Sequence, residues 1–303
     1  MLQKFSHHSV DWIDLESPTA EDIEEIKGRY GIHQTAATHL LSPVTKPRID
    51  FFDDHIYLVL HFPILDEKSR VLHTREVDFI LGKSYIITAH YRPLPELHEL
   101  SSIFEIENTL PRTKGKHAGF LFLYIMRHLY TSIENELAFV NDQLDKIQSN
   151  IFAGNEHTMV RHLSRVGGQL INFTKAIKDH SDILESFEKV SPKIYGEEFA
   201  THATLIMNAY TKIWHMAENT RDVFRELRET NDSLLSTKTN DTMKWLTVMA
   251  FITYPLALVA GIFGMNMQHS PFVGHVYDFW IVVGIMAVLA CILFGFFKYK
   301  KWL

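Results

Sequence analysis

Two uncharged apolar runs near the end of the chain restrict its fold more than any other feature. Trp245 to Phe263 and Phe279 to Phe297 hold no Asp, Glu, Lys or Arg. Each is about as long as a helix must be to cross the hydrocarbon core of a bilayer. In lipid, a backbone must satisfy its own hydrogen bonds, so both runs are expected to be transmembrane helices. The flanks orient them. Lys238 and Lys244 precede the first run, and Lys298, Lys300 and Lys301 follow the second, whereas Gly264 to Asp278 holds no lysine or arginine. The positive-inside bias then puts both chain ends in the cytosol and the short loop outside, as for a two-span protein of an inner or plasma membrane. Trp245 and Trp302 fall at the inner interface, and Tyr277 and Trp280 near the outer one, as aromatic belts do.

The remaining chain is mixed in composition and belongs in water. A formal net charge of −6 supplies no positive field for nucleic acid, so no such partner is expected. Met1 to His8 is polar, and no leader peptide is expected there. Cys291 is the single cysteine, which excludes an internal disulfide or a cysteine metal cluster. No HExxH pair, P-loop, dinucleotide fingerprint or nucleophile elbow occurs, so the chain is not expected to be an enzyme.

Residues 1–118 read as a cytosolic α/β domain. Ser17-Pro18 opens a helix, with Glu21, Asp22 and Glu24 where a positive helix N-terminus favours them. Ile56 to Leu60 reads as a strand. Val77 to Leu81 turns at Gly82-Lys83 into Tyr85 to Ile87, a hairpin. Residues 119–195 read as a helical region, with one helix from Gly119 to about Phe152. A second runs from Glu156 to Val190, ended by Ser191-Pro192.

After Gly196 no proline appears until Pro255. Ile206, Ala209, Ile213, Met216, Thr220, Val223, Leu227, Thr230, Leu234 and Thr237 recur with three-four spacing. This predicts a stalk helix over 196–244, continuous with the first transmembrane helix over 245–263. Such a helix either packs within its own domain or associates with copies of itself. A length on the order of 100 Å favours the copies. The first span is also more than an anchor, because it carries Thr247, Thr253, Tyr254, Pro255 and Gly261. Continuing the spacing puts Asn240, Met243, Thr247, Ala250, Tyr254, Ala257, Gly261 and Gly264 on one face. That face suits a pore lining or a helix-packing stripe, and composition does not separate the two.

At the outer end of this span stands Ala260-Gly261-Ile262-Phe263-Gly264-Met265-Asn266. It closely resembles the signature of the CorA family of divalent-cation channels, in which Gly-Met-Asn closes the first transmembrane helix. The upstream proline, one further span over 279–297 and the basic ending over 298–303 agree with it. So do Thr239 to Met243, Lys46 to Asp50 and Glu76 to Gly82.

The resemblance implies an α/β/α cytosolic domain, a stalk helix and a homopentameric funnel in the bilayer. It implies passive flow of hydrated divalent cations driven by membrane potential: magnesium first, with cobalt or nickel sharing the path. The metals are then cargo or regulators, and no resident cofactor is expected. Magnesium sheds its waters reluctantly, so neutral acceptors suit it. Gly264, Met265 and Asn266 would form the selectivity ring at the mouth of the external loop (264–278), and Asn240 a second polar ring at the cytosolic exit. Both would hold the ion through its waters. Met243 with Leu246 or Thr247 would form a dewetting gate. A helix C-cap is the alternative reading of Gly264 to Asn266.

Ala257 stands where many family members have threonine, and Met267 to Phe272 lacks their loop glutamate. His269 and His275 raise zinc as an alternative cargo, and Asp278 reads as the N-cap of the second span. The family's regulatory carboxylate falls, by ungapped count, on Leu205. Asp222, Glu226 and Glu229 are the nearby acids that could replace it, or they form a solvated helix face. A zinc transporter of the same superfamily and a non-conducting two-span sensor remain the rival functions.

Overall fold

The computed structural model describes residues 2–7, 10–44, 46–66, 71–106, 117–265, 277–300 and 302. The chain divides into two compact units, 1–228 and 229–303. The first is built on strands β1 (Leu2–His7), β2 (Val10–Glu16), β3 (Arg48–Phe51), β4 (Ile56–Asp66), β5 (Val71–Leu81) and β6 (Tyr85–His90). They form one sheet in the order β1-β2-β6-β5-β4-β3, parallel only where β2 meets β6.

Strand β4 is buried on both faces over Ile56 to Leu60, which explains its unbroken apolar run. On one face Ile13, Val59, Ile80 and Ile87 pack with Ile23, Ile26, Ala36 and Leu40. Ile23 and Ile26 come from helix α1 (Ala20–Tyr30) and Ala36 from α2 (Gln34–His39), which Leu40 caps. On the other face Phe79 meets Phe122, and Phe122 meets Phe187. These rings belong to α4 (Ala118–Phe152) and α6 (His180–Tyr195), which follow α3 (Pro95–Ile106) and, for α6, α5 (Glu156–Ile177). The result is the α/β/α layering expected.

Three local expectations are corrected. The cap of α1 is Thr19, whose hydroxyl and backbone N–H exchange bonds with Asp22 in a capping box. Glu156 to Val190 is two helices, α5 and α6, which part at Lys178-Asp179. Pro192 does not end α6: it lies in the last turn, where the helix runs on to Tyr195 and closes at Gly196, φ +93°. A proline this near the end forfeits one backbone bond, and glycine is the residue that readily takes the positive φ.

After a 3-10 turn at Glu197–Phe199, helix α7 runs from Ala200 to Gly264 with Pro255 inside it. It therefore joins the stalk to the first apolar run without interruption, and spans the boundary between the units. Helix α8 covers Asp278–Tyr299; its N-cap is Tyr277, so Asp278 is the first helical residue and not the cap.

Candidate ion pathway

At 100° per residue, Asn240, Met243, Leu246, Thr247, Ala250, Tyr254, Ala257, Gly261 and Gly264 fall within about 120° of the α7 surface. Most of this face is left open by the chain's own packing. Met243 is 59% exposed, Leu246 57% and Tyr254 75%; Asn240, Ala257, Gly261 and Gly264 are exposed, and Thr247 and Ala250 half-buried. The opposite side holds Val248, which is buried. Phe251 meets Phe297 of α8 at 6.3 Å between ring centroids, and Phe297 meets Trp302 at 6.0 Å. The start of the first apolar run thus lies against the end of the second.

Three threonine hydroxyls on this helix satisfy themselves. Thr242 donates to the Lys238 carbonyl at 2.9 Å and Thr247 to the Met243 carbonyl at 2.7 Å, and Thr253 donates to the Met249 carbonyl. Such back-bonds are how hydroxyls are tolerated where no water reaches.

The two glycines of the face are informative. A Cβ built on Gly261 or Gly264 would meet nothing within 4 Å, and neither residue has positive φ. Neither the packing of one chain nor a left-handed cap accounts for them, so the C-cap reading does not hold for Gly264. Helix α7 ends at Gly264, with the Met265 amide donating to the Ile262 carbonyl at 3.3 Å. Asn266, His269, His275 and Lys301 lie outside the described residues.

The sequence matches the profile of the family described as "CorA-like Mg2+ transporter protein" over residues 7–300. The chain belongs to that family. It is 24% identical over 298 residues to the cobalt/magnesium transport protein CorA of Thermotoga maritima, covering 96% of this chain and 83% of the relative. It is 22% identical over 312 residues to the magnesium transport protein CorA of Helicobacter pylori, covering 98% and 92%. Its fold resembles the complete structure of the CorA magnesium transporter from Methanocaldococcus jannaschii, with a TM-score of 0.84 at 20% identity over 99% of this chain and 93% of that one. The family is one of transporters, not enzymes, and the two apolar helices are its membrane spans.

Within this CorA-family chain, the acids considered for regulation are exposed. Asp222 pairs with Arg225 at 3.1 Å, while Glu226 and Glu229 point to solvent; Leu205 is 52% exposed. Among the described residues no group of three or more His, Cys, Asp or Glu side chains is placed to hold a metal ion.

Sequence reasoning missed the collar that fixes the base of the stalk. His117 stacks on Tyr195 and both meet Phe199 edge-on, with centroids 4.8–5.2 Å apart. The Tyr195 hydroxyl donates to the Gly82 carbonyl at 3.0 Å. Burial, with His202 and Lys83 nearby, lowers the His117 pKa. A Cβ on Gly119 would lie 2.9 Å from the Phe199 ring. The available signal was Gly119 opening an apolar helix, where alanine would otherwise be preferred.

Proposed function

We propose that several copies of this chain surround a pore that admits hydrated magnesium into the cytosol, driven by the membrane potential. Each charge moved inward is worth about 2.3 kcal/mol per 100 mV. The observation that carries the reading is the unoccupied face of α7, ending in Gly261 and Gly264, glycines that a single chain does not require. Two membrane helices cannot enclose a pore, so this face needs copies to close it. The family resemblance supports a homopentamer as the assembly.

Gly264 and Asn266 act at the outer mouth by accepting hydrogen bonds from the ion's waters, through a backbone carbonyl and a side-chain amide. Neutral acceptors suit an ion that keeps its hydration shell. Asn240 repeats this chemistry at the cytosolic exit. Met243 and Leu246, exposed and apolar just beyond it, form the constriction that closes by dewetting.

Flux into proteoliposomes under an inside-negative potential tests the reading, with magnesium, cobalt, nickel and zinc run in parallel. Magnesium entry, with cobalt or nickel competing, is expected. Zinc entry without magnesium entry would transfer the chain to the zinc alternative, and no flux of any of the four would leave the non-conducting sensor.

A further inference from the structure

Beside the stalk, still within the first unit, α5 and α7 enclose a groove of about 430 Å³. Its rim carries Lys175, Lys178, Arg221, Arg225 and Arg228 and no acidic residue. Among the described residues only Arg225 has an ion-pair partner, Asp222, and that pair is exposed on both sides, so it exchanges easily with water. The floor is apolar: Phe224 lines it, and Ile171 is 69% exposed. Gly167 allows the close fit of Phe224, since a Cβ there would lie 2.7 Å from its ring. A net −6 chain thus gathers five cations around one apolar floor, and their mutual repulsion calls for an anionic partner.

A complement lies on the same helix. At 100° per residue, Arg221, Arg225 and Arg228 occupy a sector about 60° wide. Asp222 and Glu226 lie about 90–130° round the helix from its centre, and Val223 almost diametrically opposite. Val223 is 43% exposed and belongs to the three-four stripe of the stalk. One edge of the stalk is therefore basic with an apolar floor, and the other is acidic with an apolar residue. Two unlike edges on one subunit are what a head-to-tail ring requires, because each copy offers its second edge to the first edge of the next.

We propose that the groove receives the stalk of a second copy, with Val223 seated on Ile171 and Phe224 and Glu226 among the arginines. This rests on the homo-oligomer reading above. It makes the stalk interface a direct charge clasp that needs no bound metal to close.

The test uses the full-length protein in detergent, with Cys291 replaced by Ala so that only introduced thiols react. Ile171→Cys and Val223→Cys are combined in one chain. Within a chain α7 itself stands between these positions, so a disulfide must join two copies. Mild oxidation should give a ladder of linked chains. Adding Glu226→Arg should cut its yield by roughly tenfold, as like charges meet, and Glu226→Arg with Arg225→Glu should restore it. Particle mass by light scattering is measured in parallel. A full-mass assembly without a ladder, or a ladder indifferent to charge reversal, would overturn the clasp and leave the oligomer standing. Monomers alone would overturn both. Saturable binding of inorganic triphosphate by the assembled protein, lost on Arg221→Glu, would overturn the clasp in favour of a small polyanion.

Discussion

In the first unit most large side chains are consumed by the chain itself. Trp12, Phe62, Phe79, Phe122, Phe173 and Phe187 are all fully buried. In the second unit, Val248 and Phe297 are the buried apolar side chains among the described residues, while Trp245, Leu246, Met249, Phe251, Leu258 and Val288 are all more than half exposed. The same residue types thus do different work. In the first unit they exclude water and hold the fold; in the second they face lipid or copies of the chain, where lipid tails are as apolar as leucine. Stability should accordingly track the first unit, and transport the second.

The widest separation is expected for core truncation. Phe122→Ala removes a ring that contacts both Phe79 and Phe187 and should cost about 3–5 kcal/mol. Leu258→Ala, 65% exposed in the span, should stay within about 0.5 kcal/mol. Thermal unfolding of the purified protein reads both; equal losses would break the division.

Glycine replacement sharpens it. Gly119→Ala forces a Cβ against Phe199 inside the aromatic collar and should cost about 1–3 kcal/mol, the range for overpacking. Gly264→Ala meets no atom of its own chain, so it should leave the melting temperature unchanged while flux falls sharply. A Gly264→Ala protein that unfolds early would show that Gly264 serves folding instead.

A smaller effect is expected from pH. His180 is buried between the Tyr130 hydroxyl and the His61 carbonyl, each at 2.9 Å. The geometry fits a neutral ring that donates from Nε2 and accepts at Nδ1. Burial lowers its pKa from 6.5 to about 3. Between those values the unfolded chain binds the proton and the folded one does not, so stability rises with pH. The contribution is full above about 6.5 and is lost as pH falls toward about 3. His180→Gln should therefore flatten the decline in melting temperature between neutral and mildly acid pH.

What the sequence made legible follows the same division. The spans could be read because an uncharged apolar run has few alternatives once it is long enough. The stalk could be read because Ile206, Ile213, Thr220 and Leu227 keep their period and are all buried. Strand β1 could not, since Gln3, Lys4 and Ser6 lie on a sheet edge paired only with β2, where alternation is weak. The break at Lys178-Asp179 carries no glycine or proline to mark it. The buried His61–His180–Tyr130 chain joins residues far apart in sequence, and no local pattern announces it. At the pathway, the Gly-Met-Asn resemblance pointed to the candidate mouth. The open face beneath it became meaningful only once its exposure was known.

The central claim is that neutral acceptors at the mouth of a ring of copies pass hydrated magnesium. Its most direct test is magnesium uptake by Asn266→Ala in proteoliposomes, with assembly verified by particle mass. The account predicts an intact assembly with uptake reduced to background. Uptake near the rate of the unaltered protein, from a correctly assembled variant, would contradict it.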